Sequence, residues 1–327
     1  MAKLPEKLGS QYYRGFLSRQ GQAFYDCINA QFLRGDYSNK ATFSISNLET
    51  SASDSFAAYK AIRDDHPEYF YLGFQSEFTR KGWTGTLEYP ILYDPEIIDR
   101  IRQQMRKSIY RIVRGTAYLQ MIEREIIVYE RIAKKLTYSN HGDVRDHNVV
   151  GPVLLSSGVC EGHIALLLLC IRRIGIPCIK VYGRTKTDDW HCWTIAWING
   201  VPVHCDVTWD GNEEGLVRFD YLNLSDKQIA GDHYDFKGSH VPICSSEELN
   251  YYSHRGLCVH SYKDLKTRLK KDLWRGISPI LIHFSYHPPS GDYLKETQRA
   301  FSEEQISGRH RFYYHPTLKN LAVKKIS

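Results

Sequence analysis

The chain has 327 residues, 42% apolar and 24% charged, a globular composition that excludes a disordered chain and a fibre. Its net charge of +6 comes from 43 Lys and Arg against 37 Asp and Glu, interspersed along the length rather than gathered into the basic patch a nucleic acid or anionic membrane would need. The longest apolar run, 164–171, is eight residues, where a membrane span needs about 20.

The opening MAKLPEKLGSQYYRGF lacks the apolar stretch of a secretory leader, so the expectation is a cytoplasmic protein. From 12 to 138 the pattern is mainly helical. Ile97, Ile98, Ile101, Met105, Ile109 and Ile112 recur at three- and four-residue steps, with Asp94-Pro95 as a helix start and Gly115 as a stop. A second helix is expected over 116–135. The aromatic stretch HPEYFYLGFQSEF with Trp83 reads first as core, and second as one wall of a cleft.

Between 139 and 245 the pattern changes to one buried helix followed by short strands. The tail, 246–327, reads as an α/β subdomain: a strand at 257–261, a helix at 262–274, a strand at 278–284, a helix near 293–304 and a closing strand near 309–323. The basic run KDLKTRLKKDLWR (263–275) carries Leu265, Leu269 and Leu273 every four residues, so its cations form the wet face of a helix. The tail has no Gly-rich phosphate loop and the chain no acidic calcium loop, so no cofactor is implied. Three zones result: 1–138, 139–245 and 246–327.

Eight cysteines stand at 27, 160, 170, 178, 192, 205, 244 and 258. None forms a C-x-x-C pair, which argues for free thiols and against a structural zinc site. Cys160 stands apart. Ser156-Ser157-Gly158 makes a turn, an apolar helix runs from 160 to 174, and Gly175 and Pro177 end it. At a helix start, unpaired N–H groups and the dipole favour a thiolate, and the same N–H groups could stabilise an oxyanion beside the sulfur.

Downstream, HCWTIAWI alternates as a strand does, and Asn199-Gly200 is a hairpin-turn pair. A two-residue turn sets Ile198 opposite Val201, Trp197 opposite Pro202, Trp193 opposite Asp206 and His191 opposite Thr208. His191 and Asp206 then share a face as diagonal neighbours, roughly 5.5–8 Å between Cβ atoms. Cys160, His191 and Asp206 are the residue types of a thiol-based triad: a nucleophile, an imidazole and a carboxylate that orients the ring.

The stretch GVCEGHIA, then IRRIGIPC, then HCWxxxWxNGxPVHCDVTWD resembles the transglutaminase-like core of bacterial proteins. The likeness extends to FDYLNLSDKQIAGDH (219–233), NYYSHRGLCVHSY (250–262) and DHPEYF (65–70). Position by position, it implies Cys160 as nucleophile, His191 as catalytic histidine and Asp206 as the third member. It implies an α+β, papain-like fold, with the cysteine helix packed on an antiparallel sheet bearing the other two. His163 departs from the pattern, where the family usually has Tyr. His147 and Asn148 are expected to be solvated loop residues, and Trp190 and Trp193 could wall the cleft.

The triad does not choose the acyl acceptor. Hydrolysis of a protein or peptide amide by a cysteine peptidase or amidase needs the fewest special features and ranks first; a protein-glutamine transglutaminase ranks second, and a catalytically silent binding module third. A metal enzyme built on Cys160, His191 and His204 or Cys205 lacks the tight ligand spacing of zinc sites. No nucleic-acid, membrane or metal partner is expected, and oligomeric state is not legible.

Overall fold

The computed structural model describes residues 9–211, 215–236 and 240–326; the first eight residues of the leader argument lie outside it. Helices α1 (Arg19–Leu33) and α2 (Ser51–Asp65) pack with a three-stranded antiparallel sheet of β1 (Lys40–Ser44), β2 (Glu77–Lys81) and β3 (Thr84–Glu88), β3 in the middle. The mainly helical expectation for this region misses that sheet. Its strands are five residues long, β2 reads EFTRK, and only alternate positions of β1 and β3 are buried, so they carry little apolar signal. Within the aromatic stretch, Tyr69, Phe70 and Tyr71 are core, whereas Phe74 and Trp83 are exposed.

Helix α3 (Pro95–Val113) starts with Asp94 as N-cap residue and Pro95 in its first turn, and Gly115 beyond it takes φ +77°. Helix α4 (Met121–Lys135) starts later than expected because 116–120 form a turn in which Thr116 Oγ1 donates to the Val113 carbonyl at 2.7 Å. The short strand β4 (Thr137–Tyr138), helix α5 (Val150–Leu154) and β5 (Ser157–Gly158) lead into α6 (Cys160–Arg173), closed by Gly175 at φ +83°.

The central sheet contains β6 (Cys178–Thr185), β7 (Trp190–Ile198), β8 (Val201–Cys205) and β9 (Leu222–Leu224); after α7 (Asp226–Ile229) comes its last strand, β10 (His233–Tyr234). The order is β10-β6-β7-β8-β9, antiparallel throughout. Period-two alternation divides its side chains. Cys192, Ala196, Ile198, Val203 and Cys205 join the core that holds α6, whereas Val181, Trp193, Ile195, Trp197 and Tyr221 form a second core on the other face.

After α8 (Tyr251–His254), the tail builds a sheet in the order β11-β12-β14-β13 from β11 (Cys258–Val259), β12 (Ile280–Phe284), β13 (His310–His315) and β14 (Asn320–Lys325), covered by α9 (Tyr262–Trp274) and α10 (Tyr293–Glu303). The expected single closing strand is a hairpin: Pro316 interrupts it and Lys319 turns at φ +54°. Leu265 and Leu269 of α9 are fully buried, while Lys266 and Lys270 on its wet face pair with Glu303 and Glu304. The architecture is α+β, and among the described residues no helix is long and apolar enough to cross a membrane.

Candidate active site

Cys160 is the first residue of α6, behind an extended Val159 whose N–H donates to the Asp146 carbonyl at 3.0 Å. A Cβ on Gly162 would lie 2.5 Å from that same carbonyl oxygen. The helix start can therefore seat against residue 146 only with glycine there. The thiol and N–H of Cys192 and the ring of His191 lie beside the Cys160 sulfur and favour its thiolate. The Cys192 thiol, aided by the charge of His191 and opposed by burial, lowers the Cys160 pKa to about 4. Cys192 keeps its proton, its own pKa pushed far up by the same contact and by burial.

His191 lies at the open end of β7 and Asp206 just beyond β8. Strand pairing of Trp197 with Pro202 and Thr194 with Cys205 carries them onto one face, with His191 Nε2 2.7 Å from Asp206 Oδ2. This leaves Nδ1 as the ring nitrogen free for the sulfur. Burial pulls the His191 pKa down, but the charge and hydrogen bond of Asp206, together with Cys160, raise it to about 10. Asp206 is fully buried, which alone would raise its pKa; the two histidines that bond it hold it below the usual carboxylate range. Its Oδ1 accepts the Thr208 N–H at 2.9 Å.

The second of those histidines is His233, on β10. Its Nε2 lies 3.2 Å from Asp206 Oδ2 and its Nδ1 lies 2.8 Å from Asp232 Oδ1. A ring between two carboxylates donates to both only as an imidazolium, and although burial opposes it, these bonds raise the His233 pKa. Beyond it, Asp232 Oδ2 accepts the Tyr221 hydroxyl at 2.7 Å, and Tyr221 faces His315 Nε2 at 2.7 Å. The Leu318 N–H at His315 Nδ1 (3.2 Å) places the ring proton on Nε2, so it donates to Tyr221. The network thus runs from the sulfur to β13 of the tail. His233 ends the GDH of 231–233, but a two-residue strand gives no pattern from which its partner could be read.

Other residues fall differently. His204 Nδ1 accepts the Trp193 indole N–H at 2.9 Å, so its Nε2 carries the proton and donates to Asp226 Oδ1 at 2.8 Å. His204, Asp226 and Cys244 are close enough together for a cation, yet a protonated Nε2 is no ligand. Cys205 lies on the α6 side, against Glu125 and Asn223, so the combination of Cys160, His191 and His204 or Cys205 does not assemble. Asn148 is structural, whereas the His147 side chain is 38% exposed, as expected of a solvated residue. His147 Nδ1 lies 2.9 Å from Glu161 Oε2, while Asn148 donates to the Val144 carbonyl at 3.1 Å and accepts the Val150 N–H at 2.9 Å. His163 is buried edge-on to Tyr138, and burial lowers its pKa. Trp193 is core; Trp190 is 69% exposed. Cys160 and His191 open onto a cleft of about 530 Å³ walled by Tyr138, Trp190 and Trp209, with Thr185, Thr187 and Asp189 along its rim.

The transglutaminase-like superfamily matches residues 110–209, the segment from the end of α3 through the Cys160 helix and the His191 hairpin. That segment of the chain is similar to the transglutaminase-like core. Among solved structures it is similar to a TGase, with 10% identity, 42% of this chain and 45% of that one covered, and a TM-score of 0.28. It is also similar to a candidate cysteine protease from Cytophaga hutchinsonii, with 15% identity, coverage of 44% and 65%, and a TM-score of 0.29. The chain therefore spans about half to two thirds of the length of these structures. No curated protein matches it.

Proposed function

We propose that the protein is a thiol-dependent acyl-transfer enzyme acting on protein or peptide amides, with Cys160 as nucleophile, His191 as acid and base, and Asp206 as the group that orients and charges the imidazole. The observation that carries this reading is the buried His191–Asp206 pair at 2.7 Å beside a sulfur whose pKa is lowered to about 4. A thiolate poised next to an imidazolium attacks an amide carbonyl, and the tetrahedral oxyanion forms beside the unpaired Cys160 N–H at the start of α6. His191 Nδ1–H then protonates the departing amine, leaving a thioester on Cys160. In the second half the neutral ring takes a proton from the incoming nucleophile and restores the ion pair.

Water is the acceptor we favour. Tyr138 and Trp190 are 59% and 69% exposed, so solvent reaches the thioester, whereas transamidation needs water kept away from it. The likeness of the core to transglutaminases keeps amine transfer as the second reading. All eight cysteines are unpaired, which suits a reducing compartment such as the cytoplasm.

The test is proteome-wide profiling of new N-termini and of amine incorporation with wild-type, Cys160→Ala and His191→Ala protein. New N-termini made by the wild type should disappear with either variant, and Asp206→Asn should make them more slowly. The same N-termini appearing with Cys160→Ala would overturn the mechanism, and incorporated amine without cleavage would select transamidation.

A further inference from the structure

The cleft has a charge that the chemistry of acyl transfer does not use. Cys160 thiolate and His191 imidazolium cancel, and the remaining lining residues are uncharged except Asp189. The Asp189 carboxylate accepts the Thr187 hydroxyl at 2.7 Å, and among the described residues no cation pairs with it. The neighbouring cations are engaged elsewhere. Arg184 bonds the carbonyl and carboxylate of Asp188 at 2.9 and 3.1 Å, and Lys186 reaches Thr317 at 2.9 Å. Beside Asp189, the exposed rings of Trp190 and Tyr138 supply flat apolar surface, and Trp190 already holds one cation, the Arg184 guanidinium, 4.4 Å from its ring centre.

A carboxylate without a counter-ion, set between aromatic walls next to the sulfur, suits one kind of side chain: a long apolar stem ending in a cation. We propose that the cleft selects substrates by a lysine or arginine side chain near the scissile amide, its charge meeting Asp189 and its stem lying against Trp190 and Tyr138. The proposal rests on the acyl-transfer reading and adds the substrate class to it.

Two thiol reagents of equal reach test it without a known substrate: cationic 2-aminoethyl methanethiosulfonate and anionic 2-sulfonatoethyl methanethiosulfonate, at low ionic strength. Labelling of each cysteine is followed by mass spectrometry, with the half-buried Cys27 and Cys258 as controls in the same chain. The ratio of cationic to anionic labelling at Cys160 should fall about three- to tenfold in Asp189→Asn, as expected for unit charges about 6 Å apart in water. It should fall further in Asp189→Lys, with the control cysteines unchanged. An unchanged ratio at a fast-reacting Cys160 overturns the selection of basic residues and leaves the acyl-transfer reading standing. A Cys160 no faster than Cys27 and Cys258 overturns both. Protection of Cys160 by N-acetyl-arginine amide as well as N-acetyl-lysine amide supports recognition of a basic residue; protection by the lysine compound alone overturns it in favour of an amine-acceptor site.

Discussion

Cys160 and His191 hold opposite charges at neutral pH because each stabilises the other, and Asp206 and Cys192 stabilise both from behind. The thiolate needs a pH above about 4 and the imidazolium a pH below about 10. Turnover of an amide substrate should therefore be bell-shaped, falling below the first value as the sulfur is protonated and above the second as the ring loses the proton it must give the leaving amine. Alkylation of Cys160 by iodoacetamide needs only the thiolate, so its rate should show the acid limb and persist above pH 10. Coincident profiles for the two reactions would show that His191 is not the proton donor. His233 offers a finer test. His233→Gln removes a buried imidazolium from Asp206, and turnover should drop about tenfold, the cost of one charged hydrogen bond. With that cation gone, Asp206 acts on His191 alone, so the basic limb should move to higher pH while KM changes little. A merely structural role for His233 would leave the limb in place. Of this constellation, His191 and Asp206 were readable as neighbours because a two-residue turn sets cross-strand register. The approach of Cys160 to the ring and the arrival of His233 were not, since both depend on how α6 and the short β10 meet the sheet.

At the scale of elements, legibility followed the strength of local signals. The apolar period of α3, the Gly-Pro stop after α6 and the Asn199-Gly200 turn, at φ +50° and +84°, are local and read directly. The solvated sheet of β1, β2 and β3 and the closing hairpin of β13 and β14 are held by pairing between segments, which no single stretch displays. The same holds for the contact between α4 and the far strands of the central sheet. Glu125 of α4 is fully buried and accepts the Asn223 side-chain amide of β9 at 2.8 Å, with the Cys205 thiol of β8 at 3.6 Å. Burial outweighs these bonds and raises its pKa from 4.5 to about 7. The folded state therefore binds this proton more tightly than the unfolded chain, and its contribution to stability is lost as pH rises from about 4.5 to about 7. Glu125→Gln removes that slope. Thermal unfolding of the variant should lack the decline in this window that the wild type shows, and at pH 7.5 the variant should be the more stable, by up to about 3 kcal/mol. An identical pH dependence of Tm in the two proteins would mean that Glu125 is ionised in the fold.

Across the whole molecule, the N-terminal helices are locked to the central sheet by buried charge. Asp64, near the end of α2, accepts Lys180 of β6 at 2.8 Å, Tyr182 of β6 at 2.6 Å and Lys60 of its own helix at 2.6 Å. One residue on, the Asp65 carbonyl accepts the Arg172 guanidinium of α6 at 2.6 Å, and that guanidinium also donates to the Cys178 carbonyl at 3.1 Å. The helix that presents Cys160 and the sheet that presents His191 are thus tied at their far ends to one turn of α2. Burial of Asp64 opposes ionisation, yet Lys180 and Lys60 lower its pKa to about 2. Because the folded pKa lies below the unfolded one, the stabilisation is present above about 3.8 and is lost as pH falls through about 2. Asp64→Ala leaves the buried Lys180 ammonium without its carboxylate and should cost about 3–5 kcal/mol, read as a fall in Tm and in the denaturant midpoint at pH 7. The double variant Asp64→Ala/Lys180→Met deletes both charges and should recover most of that loss, since an apolar side chain carries no unpaired charge. If the double variant is no more stable than Asp64→Ala, the pair is not what joins the two parts, and the Arg172 bonds to the Asp65 and Cys178 carbonyls become the determinant to test.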